Sequence, residues 1–211
     1  MVEIIQSILH IDVTLFQWAQ NYGTLLYFIL FSIIFCETGL VVTPFLPGDS
    51  LLFAVGALSA SHQFLEVKLI IPLLIIAAIL GDSVNFQIGK KWGIKLFQKD
   101  IFILKPAYLK STEEFFAQKG IWAVSLSRFF PIIRTFSPFF AGMSKMRYKS
   151  FLFFSAIGSV GWVGLFVLAG YFFGRIDFVQ KNFTYLVMGI VLFSLAPIAI
   201  SSLRTKFLKK T

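Results

Sequence analysis

Apolar stretches long enough to cross a bilayer follow one another along this chain, with short polar segments between them. A membrane-spanning helix needs about 20 mostly apolar residues to cross a hydrocarbon core of roughly 30 Å. Six stretches come near that length: 14–36, 38–60, 69–89, 121–143, 151–174 and 184–203. Because backbone amides in lipid have to be satisfied within the segment, the pattern predicts an all-α membrane protein that crosses the bilayer several times.

Two of the six stretches carry prolines near their middle. Pro44 and Pro47, followed by Gly48, lie in the second stretch, and Pro131 and Pro138 lie in the fourth. Because proline removes a backbone donor and interrupts a helix, each stretch is expected to form two half-helices joined by a hairpin turn at these residues. The alternative, in which both stretches are ordinary spans with a kink, stays open.

Composition supports the membrane assignment. Of 211 residues, 57% are hydrophobic and 27 are Phe, and the mean hydropathy is +0.83. A soluble domain could not bury that much apolar surface. The first residues lack a basic region and a small-residue cleavage pattern, so no removable signal peptide is expected. With Cys36 as the single cysteine, the sequence predicts neither an internal disulfide nor a cysteine-based metal cluster.

Basic residues are concentrated in three segments, 90–120, 144–150 and 204–211, which hold 14 of the 19 lysines and arginines. The positive-inside rule places all three segments in the cytoplasm. The fourth apolar stretch then begins and ends on the same side, although crossing twice would take about 40 residues. It is therefore expected to re-enter the membrane from the cytoplasmic side. When the chain is followed from the cytoplasmic linker back toward the N-terminus, 69–89 is a span and the second stretch re-enters the membrane from outside. Both termini are then expected in the cytoplasm.

This topology predicts an inverted repeat within a single membrane domain of residues 1–211. Repeat 1 covers about 37–89, a cytoplasmic linker covers 90–120, repeat 2 covers about 121–174, and a last span covers 184–203. About four transmembrane helices and two opposed re-entrant hairpins result. Opposed broken helices that carry charges at mid-depth are typical of secondary transporters.

Charged residues inside the apolar stretches mark the candidate site. Arg128, Arg134 and Asp49 lie there, although a charge at the bilayer centre costs about 2.5–3.5 kcal/mol on insertion scales. The two arginines flank Pro131, so a break there can direct both guanidinium groups to one point. Permanently charged planar forks suit a phosphate. In the alternative, the arginines only neutralise Glu37 and Asp49 as ion pairs.

Acidic and basic residues nearby have candidate roles of their own. Glu37 and Asp49 can gain and lose protons, and they are the predicted proton-coupling groups. Asp82 is a secondary candidate. A structural carboxylate in the interior of a helix, hydrogen-bonded to a serine, an asparagine or the backbone, is an equally good interpretation. Lys90 is a second secondary candidate, and with Lys91 it is expected to face anionic headgroups at the cytoplasmic surface.

Several classes of chemistry are not predicted. His10 and His62 lie near predicted membrane edges, away from any serine or aspartate cluster that could form a triad. No phosphate-binding loop of the GxxxxGK[ST] type occurs. The net charge of +9 belongs to the cytoplasmic surface and does not indicate nucleic acid. We therefore expect a protein that is not an enzyme and takes no cofactor and no metal, with membrane lipids and protons as its partners.

A set of short motifs across residues 35–175 is specific when taken together. In chain order they are Glu37-Thr38-Gly39, the run from Pro44 to Ser50, Gly81-Asp82 with Asn85-Phe86 and Ile88-Gly89-Lys90, Ser127-Arg128-Phe129 with Pro131 and Arg134, Ala141-Gly142-Met143, and Trp162 with Gly170-Tyr171 and Gly174. This order resembles the DedA family, also called the SNARE-associated or VTT-domain family.

The resemblance implies a multi-pass protein of the bacterial inner membrane with two opposed re-entrant hairpins. Bacterial members are implicated in recycling undecaprenyl phosphate or other phospholipids with dependence on the proton motive force, and eukaryotic relatives act as lipid scramblases. The family's essential acids correspond to Glu37 and Asp49, and its essential arginines correspond to Arg128 and Arg134.

This chain departs from the family pattern at two positions. Lys90 stands where an arginine is common, and Phe86 stands where a tyrosine is common, which puts headgroup contact there in doubt. The resulting expectation is a flippase for undecaprenyl phosphate or a related phospholipid. A proton-coupled exchanger of small ions or drugs, an energy-independent scramblase and a structural assembly factor stay open as alternatives.

Overall fold

The computed structural model describes residues 23–40, 48–61, 65–97, 106–176 and Gly189, and all regular structure in these ranges is helical. The predicted last span, 184–203, lies outside the described residues apart from that glycine, and so do the predicted turn prolines Pro44 and Pro47.

The described residues form seven α-helices and two 3₁₀ turns. In chain order they are α1 (Leu25–Gly39), α2 (Gly48–Ser61), α3 (Val67–Phe97), α4 (Pro106–Lys119), the 3₁₀ turn Gly120–Trp122, α5 (Ala123–Leu126), the 3₁₀ turn Ser127–Phe129, α6 (Pro131–Met143) and α7 (Tyr148–Phe173). Within α3, the part Val67–Gly93 is long and apolar enough to cross a membrane, and so is all of α7. Both lie over stretches that the sequence predicts as spans.

Helix α3 is longer than the predicted span 69–89. It continues to Phe97, into the segment expected to be a linker, and α4 occupies much of the rest of that segment. The hydrophobic pattern ends near residue 89, but the residues that follow include lysines and isoleucine, which continue a helix readily. The end of an apolar stretch is therefore a poor guide to the end of this helix.

The predicted interruption of the fourth stretch is present in the backbone, while in the second stretch only the residues on either side of the predicted turn are described. Helix α1 ends at Gly39 and Leu40 is extended, while the next described residues begin α2 at Gly48. In the fourth stretch, Phe130 is extended with φ −120° and ψ 104°, and α6 starts at Pro131. A residue before proline is pushed out of the helical region, and proline fits the first position of a new helix. Re-entry into the membrane stays a prediction.

Pro138 does not form a turn. The sequence analysis places it at a hairpin, but it lies inside α6, which continues to Met143. The helix loses one backbone hydrogen bond there, because Pro138 has no N–H to donate to the carbonyl of Arg134. Phe136 and Phe139 on either side of the proline are buried, and their packing holds the helix through this position.

The chain divides into two compact units. The α2 unit contains α2 and the last part of α7, from Phe166, and the α3 unit contains α1, α3 from Lys68, α4, α5, α6 and the first part of α7, to Leu165. In the α2 unit, α2 and α7 touch backbone to backbone, since a Cβ at Gly170 would lie on the carbonyl oxygen of Phe53. Small residues allow such close approach between apolar helices.

The α3 unit carries the remaining described core. Phe86 of α3 packs with Val124, Ala141 and Phe151, and its ring centroid is 4.5 Å from that of Phe151. At the other side of α3, a Cβ at Gly81 would lie on the hydroxyl of Thr38, so α1 and α3 are in close contact. These contacts bring α1, α3, α6 and α7 together around one buried region.

Candidate functional site

Two buried ion pairs lie in this region of the α3 unit. Arg128 Nη2 donates to Asp82 Oδ2 at 2.5 Å, and Arg134 Nη2 donates to Glu37 Oε1 at the same distance. Side-chain exposure is 2% for Arg128 and 8% for Asp82, and it is 13% for Arg134 and 3% for Glu37. Charge-assisted pairs of this kind are the strong hydrogen bonds of a protein interior.

Arg128 stands in the 3₁₀ turn that precedes the break before α6. Helix α7 passes very close to it, because Gly158 has no side chain: a Cβ there would lie 3.1 Å from Arg128 Cδ. From one turn earlier on α7, Ser155 Oγ donates to Asp82 Oδ2 at 2.6 Å. Asp82 therefore accepts hydrogen bonds from both Arg128 and Ser155 and holds the guanidinium group in place.

Arg128 keeps donor capacity beyond this pair. Its Nε and Nη1 atoms are buried, and neither reaches a hydrogen-bond acceptor among the described residues. A guanidinium group has five N–H donors in a planar fork. Buried polar groups of this kind normally have partners, so Arg128 carries unsatisfied donors within the part of the chain that the structure describes.

Arg134 and Glu37 are positioned by an amide that joins their helices. Asn85 of α3 donates from Nδ2 to the carbonyl of Thr38 at 3.2 Å and to the carbonyl of Thr135 at 3.1 Å. These carbonyls belong to the residues next to Glu37 and Arg134. One fully buried side chain on α3 thus fixes the end of α1 against the first turn of α6 and sets the two charges opposite one another.

The two guanidinium groups meet at one indole ring. Trp162 of α7 is fully buried, and its ring centroid is 5.5 Å from Arg128 Cζ and 4.8 Å from Arg134 Cζ. Such cation–π contacts contribute about 2 kcal/mol when desolvated. The indole offers its face to both cations and leaves their N–H edges to other acceptors. The break at Phe130 therefore does bring the two arginines to one place.

Four of the sequence-predicted site residues are joined in this cluster. Arg128, Arg134, Glu37 and Asp82 carry two positive and two negative charges. The ion-pair alternative paired the arginines with Glu37 and Asp49. In the structure Arg134 pairs with Glu37, as that alternative has it, and the acid on Arg128 is Asp82. The spacing of acids along the chain could not show which of them α3 places beside α7.

Asp49 belongs to the α2 unit, and Lys90 lies on the surface of α3. Asp49 lies half-buried in the first turn of α2, in the α2 unit. A carboxylate there is stabilised by the positive end of the helix dipole. Lys90 is exposed near the end of the apolar part of α3, which agrees with a surface role and places it outside the buried cluster.

Sequence analysis missed the part that α7 plays. Trp162 is named there only as part of a motif, with no role in the site, and Ser155 is not named at all. A signal was present, because Ser155, Gly158 and Trp162 recur at helical spacing and share one face of an otherwise apolar helix. A row of small and polar residues along one face of a hydrophobic helix indicates that this face contacts buried polar groups.

The comparisons with known proteins agree with one another. Residues 46–172 match the VTT domain. The chain is 49% identical over 205 residues to Protein DedA of Escherichia coli K12, which covers 96% of this chain and 94% of that protein. It is 43% identical over 174 residues to an uncharacterized membrane protein of Mycobacterium tuberculosis H37Rv, covering 82% and 76%. It is 35% identical over 167 residues to the inner membrane protein YqjA of Escherichia coli K12, covering 75% and 76%. No solved structure matches the chain.

Proposed function

We propose that this chain, which belongs to the DedA family of VTT-domain membrane proteins, moves a lipid phosphate across the inner membrane and couples that movement to the proton motive force. The substrate would be undecaprenyl phosphate or a related phospholipid. The observation that carries the proposal is the pair of arginines, Arg128 and Arg134, which lie against one indole in an apolar interior and are each paired with a carboxylate.

Arg128 supplies the fixed part of the phosphate site. Asp82 and Ser155 hold it from one side, while its Nε and Nη1 donors have no acceptor among the described residues. Phosphate oxygens are acceptors that match a guanidinium fork in geometry and charge. A phosphate bound here keeps its hydrocarbon tail in lipid, because the tail gains nothing from entering a polar cluster.

Arg134 supplies the exchangeable part. Its side chain is more exposed than that of Arg128, and its carboxylate partner, Glu37, can take up a proton. Protonation removes the negative charge opposite Arg134, so that the guanidinium group becomes available to the phosphate. Departure of the phosphate restores the ion pair and releases the proton. This alternation avoids leaving a buried charge uncompensated, which would be costly in a low-dielectric interior.

The charges of the four ion-paired residues give a reason why proton uptake and phosphate binding would be linked. Before binding, two positive and two negative charges balance. A phosphate monoester adds negative charge, and a proton on Glu37 offsets part of it. Asp49, in the first turn of α2, is the second predicted proton carrier.

Transport in proteoliposomes tests the proposal. Purified protein without any partner is reconstituted, and fluorescent polyprenyl phosphate, phosphatidylglycerol and phosphatidylcholine are supplied in the membrane. Movement is followed by chemical quenching of the outer leaflet with and without a pH gradient. The Arg128→Ala/Asp82→Asn variant, which removes one ion pair without leaving a lone charge, is the control.

The alternatives give different results in the same assay. A phosphate flippase moves the phosphate lipid faster than phosphatidylcholine and responds to the gradient. An energy-independent scramblase moves lipid at the same rate without the gradient. A small-ion or drug exchanger dissipates the gradient when its substrate is added and moves no lipid. An assembly factor does neither, and that result would contradict the proposal.

A further inference from the structure

An apolar groove runs along the surface of α3, away from the buried charges. It encloses about 560 Å³ and lies within the α3 unit. Its walls are open, since Leu80 is 46% exposed, Val84 39% and Trp92 55%. It is lined by Phe35 from α1 and by Leu80, Ser83, Val84, Gln87, Ile88, Lys91 and Trp92 from α3.

The groove has the length of one leaflet. Its α3 residues, from Leu80 to Trp92, recur at intervals of three and four and lie on one face of the helix. At a rise of about 1.5 Å per residue, this face is about 18 Å long. Half of a hydrocarbon core of roughly 30 Å is about 15 Å thick. A single acyl chain that lies along the groove would therefore reach from mid-membrane to the interface.

One end of the groove is built for a headgroup. Lys91 and Trp92 lie there, and the membrane-spanning part of α3 ends at Gly93. Tryptophan prefers the membrane interface, and a lysine at that level attracts anionic lipid. No acid is among the residues that line the groove. Apart from Ser83 and Gln87 the walls are apolar, and they end in one positive charge. Such a groove is complementary to a lipid with a hydrocarbon tail and a negative phosphate.

We propose that this groove is a binding site for an anionic phospholipid of the surrounding membrane, with one acyl chain along Leu80, Val84 and Ile88 and the phosphate on Lys91. It is a second lipid site, and it shares no residue with the ion-pair cluster. Lys90 is equally exposed but does not line the groove. The site therefore depends on one lysine of a neighbouring pair. The inference stands whether or not the protein transports lipid.

Quenching of Trp92 by brominated lipids tests this directly. The full chain is reconstituted in bilayers of phosphatidylcholine with either dibromo-phosphatidylglycerol or dibromo-phosphatidylcholine as the probe. The fluorescence of Trp92 is obtained as the difference in tryptophan fluorescence between the wild type and the Trp92→Phe variant. A contact with one interfacial lysine changes lipid preference by about five-fold. We expect Trp92 to be quenched at about five-fold lower fractions of the anionic probe than of the neutral one.

Two lysine variants distinguish lipid binding in the groove from a general effect of positive surface charge. Lys91→Gln should abolish the preference for the anionic probe, while Lys90→Gln, which changes the same charge one residue away, should keep it. Val84→Phe, which fills the groove without adding another indole, should reduce quenching of Trp92 by both probes. Equal quenching by the two probes in wild type, or equal loss in the two lysine variants, would overturn the proposal.

The paired variant Arg134→Gln/Glu37→Gln distinguishes this inference from the proposed transport. It removes both charges of one ion pair, so that no buried carboxylate is left alone, and it changes no wall of the groove. We expect it to lose lipid movement and to keep the lipid preference at Trp92. Loss of the preference in this folded variant would mean that the two lipid sites are one.

Discussion

The two ion pairs have the same chemistry and different surroundings. Asp82 receives a second hydrogen bond from Ser155, and α7 passes within contact distance of Arg128. Arg134 stands after the break, in the first turn of α6, and is the more exposed arginine. The first pair is enclosed on several sides, and the second is placed where a helix begins. In the proposed function, this difference makes Arg128 the fixed support and Arg134 the exchangeable group.

Backbone geometry produces this difference. Arg128 precedes Phe130 in a 3₁₀ turn, and the backbone N–H of Arg134 donates to the Phe130 carbonyl at 2.8 Å as α6 begins. Six residues therefore separate the two arginines in sequence, while Trp162 lies within 5.5 Å of both. Substitutions that act on only one ion pair test whether Arg128 and Arg134 have different roles.

The largest effect is expected for Arg128→Ala. Removing one partner of a buried pair leaves Asp82 uncompensated, which costs about 3–5 kcal/mol in buried pairs that have been measured. We expect little folded protein in detergent, measured by fluorescence-detected size exclusion and thermal unfolding. Arg128→Ala/Asp82→Asn should recover much of the folded protein and still transport nothing. A stable, active single variant would show that this pair has no supporting role.

Arg134→Lys should separate transport from folding. Lysine keeps the charge opposite Glu37 but cannot bind a phosphate with a planar fork. Lipid movement should fall by about tenfold or more, which corresponds to about 1.4 kcal/mol or more of lost binding. The melting temperature should change little, because Arg134 is the more exposed arginine. Rates are compared at matched protein per vesicle, and near wild-type transport would argue against a bidentate role.

Replacing Glu37 or Asp49 with its neutral amide should remove the dependence of lipid movement on the pH gradient. Glu37→Gln keeps the shape of the side chain and resembles its protonated form, so Arg134 should be available to phosphate at every pH. We expect lipid movement in this variant to lose its dependence on the pH gradient while folded protein persists. Asp49→Asn should act in the same direction through the second predicted proton carrier. Normal gradient dependence in both variants would mean that these acids are structural.

A smaller effect is expected for Ser155→Ala. The variant removes one hydrogen bond to a carboxylate, a contact that contributes about 1.5–3 kcal/mol. Stability should fall by less than in Arg128→Ala, and transport should be retained in the protein that folds. Ser159→Ala is the matched control, because Ser159 is buried on the same helix and its hydroxyl donates to the Ser155 carbonyl. Equal losses for the two serines would remove the special role of Ser155.

Local rules predicted part of this architecture from the sequence. The break at Pro131 follows from what proline does to the residue before it, and two long helices follow from apolar length. The end of α3 and the continuity of α6 through Pro138 were not predicted. Both depend on what the helix packs against, which neighbouring residues along the chain do not reveal.

The candidate site was predictable as a set of charges and not as a set of pairs. Buried arginines in apolar stretches are conspicuous because of their cost in a membrane. Which acid each arginine contacts is decided by contacts between residues 46 and 97 positions apart. The sequence names Asp82 only as a secondary candidate, and the fold makes it the partner of Arg128. Ser155 and Trp162 join the site because α7 packs against these residues.

The central claim is that Arg134 binds phosphate and does more than neutralise Glu37. The paired-neutral variant Arg134→Gln/Glu37→Gln tests it most directly, because the variant removes both charges and leaves neither one unpaired. The measurement is the movement of fluorescent polyprenyl phosphate in proteoliposomes at matched abundance, with thermal unfolding to confirm folding. The account predicts a folded protein that has lost lipid movement. Full transport in this variant would contradict it and leave the ion pair with a structural role alone.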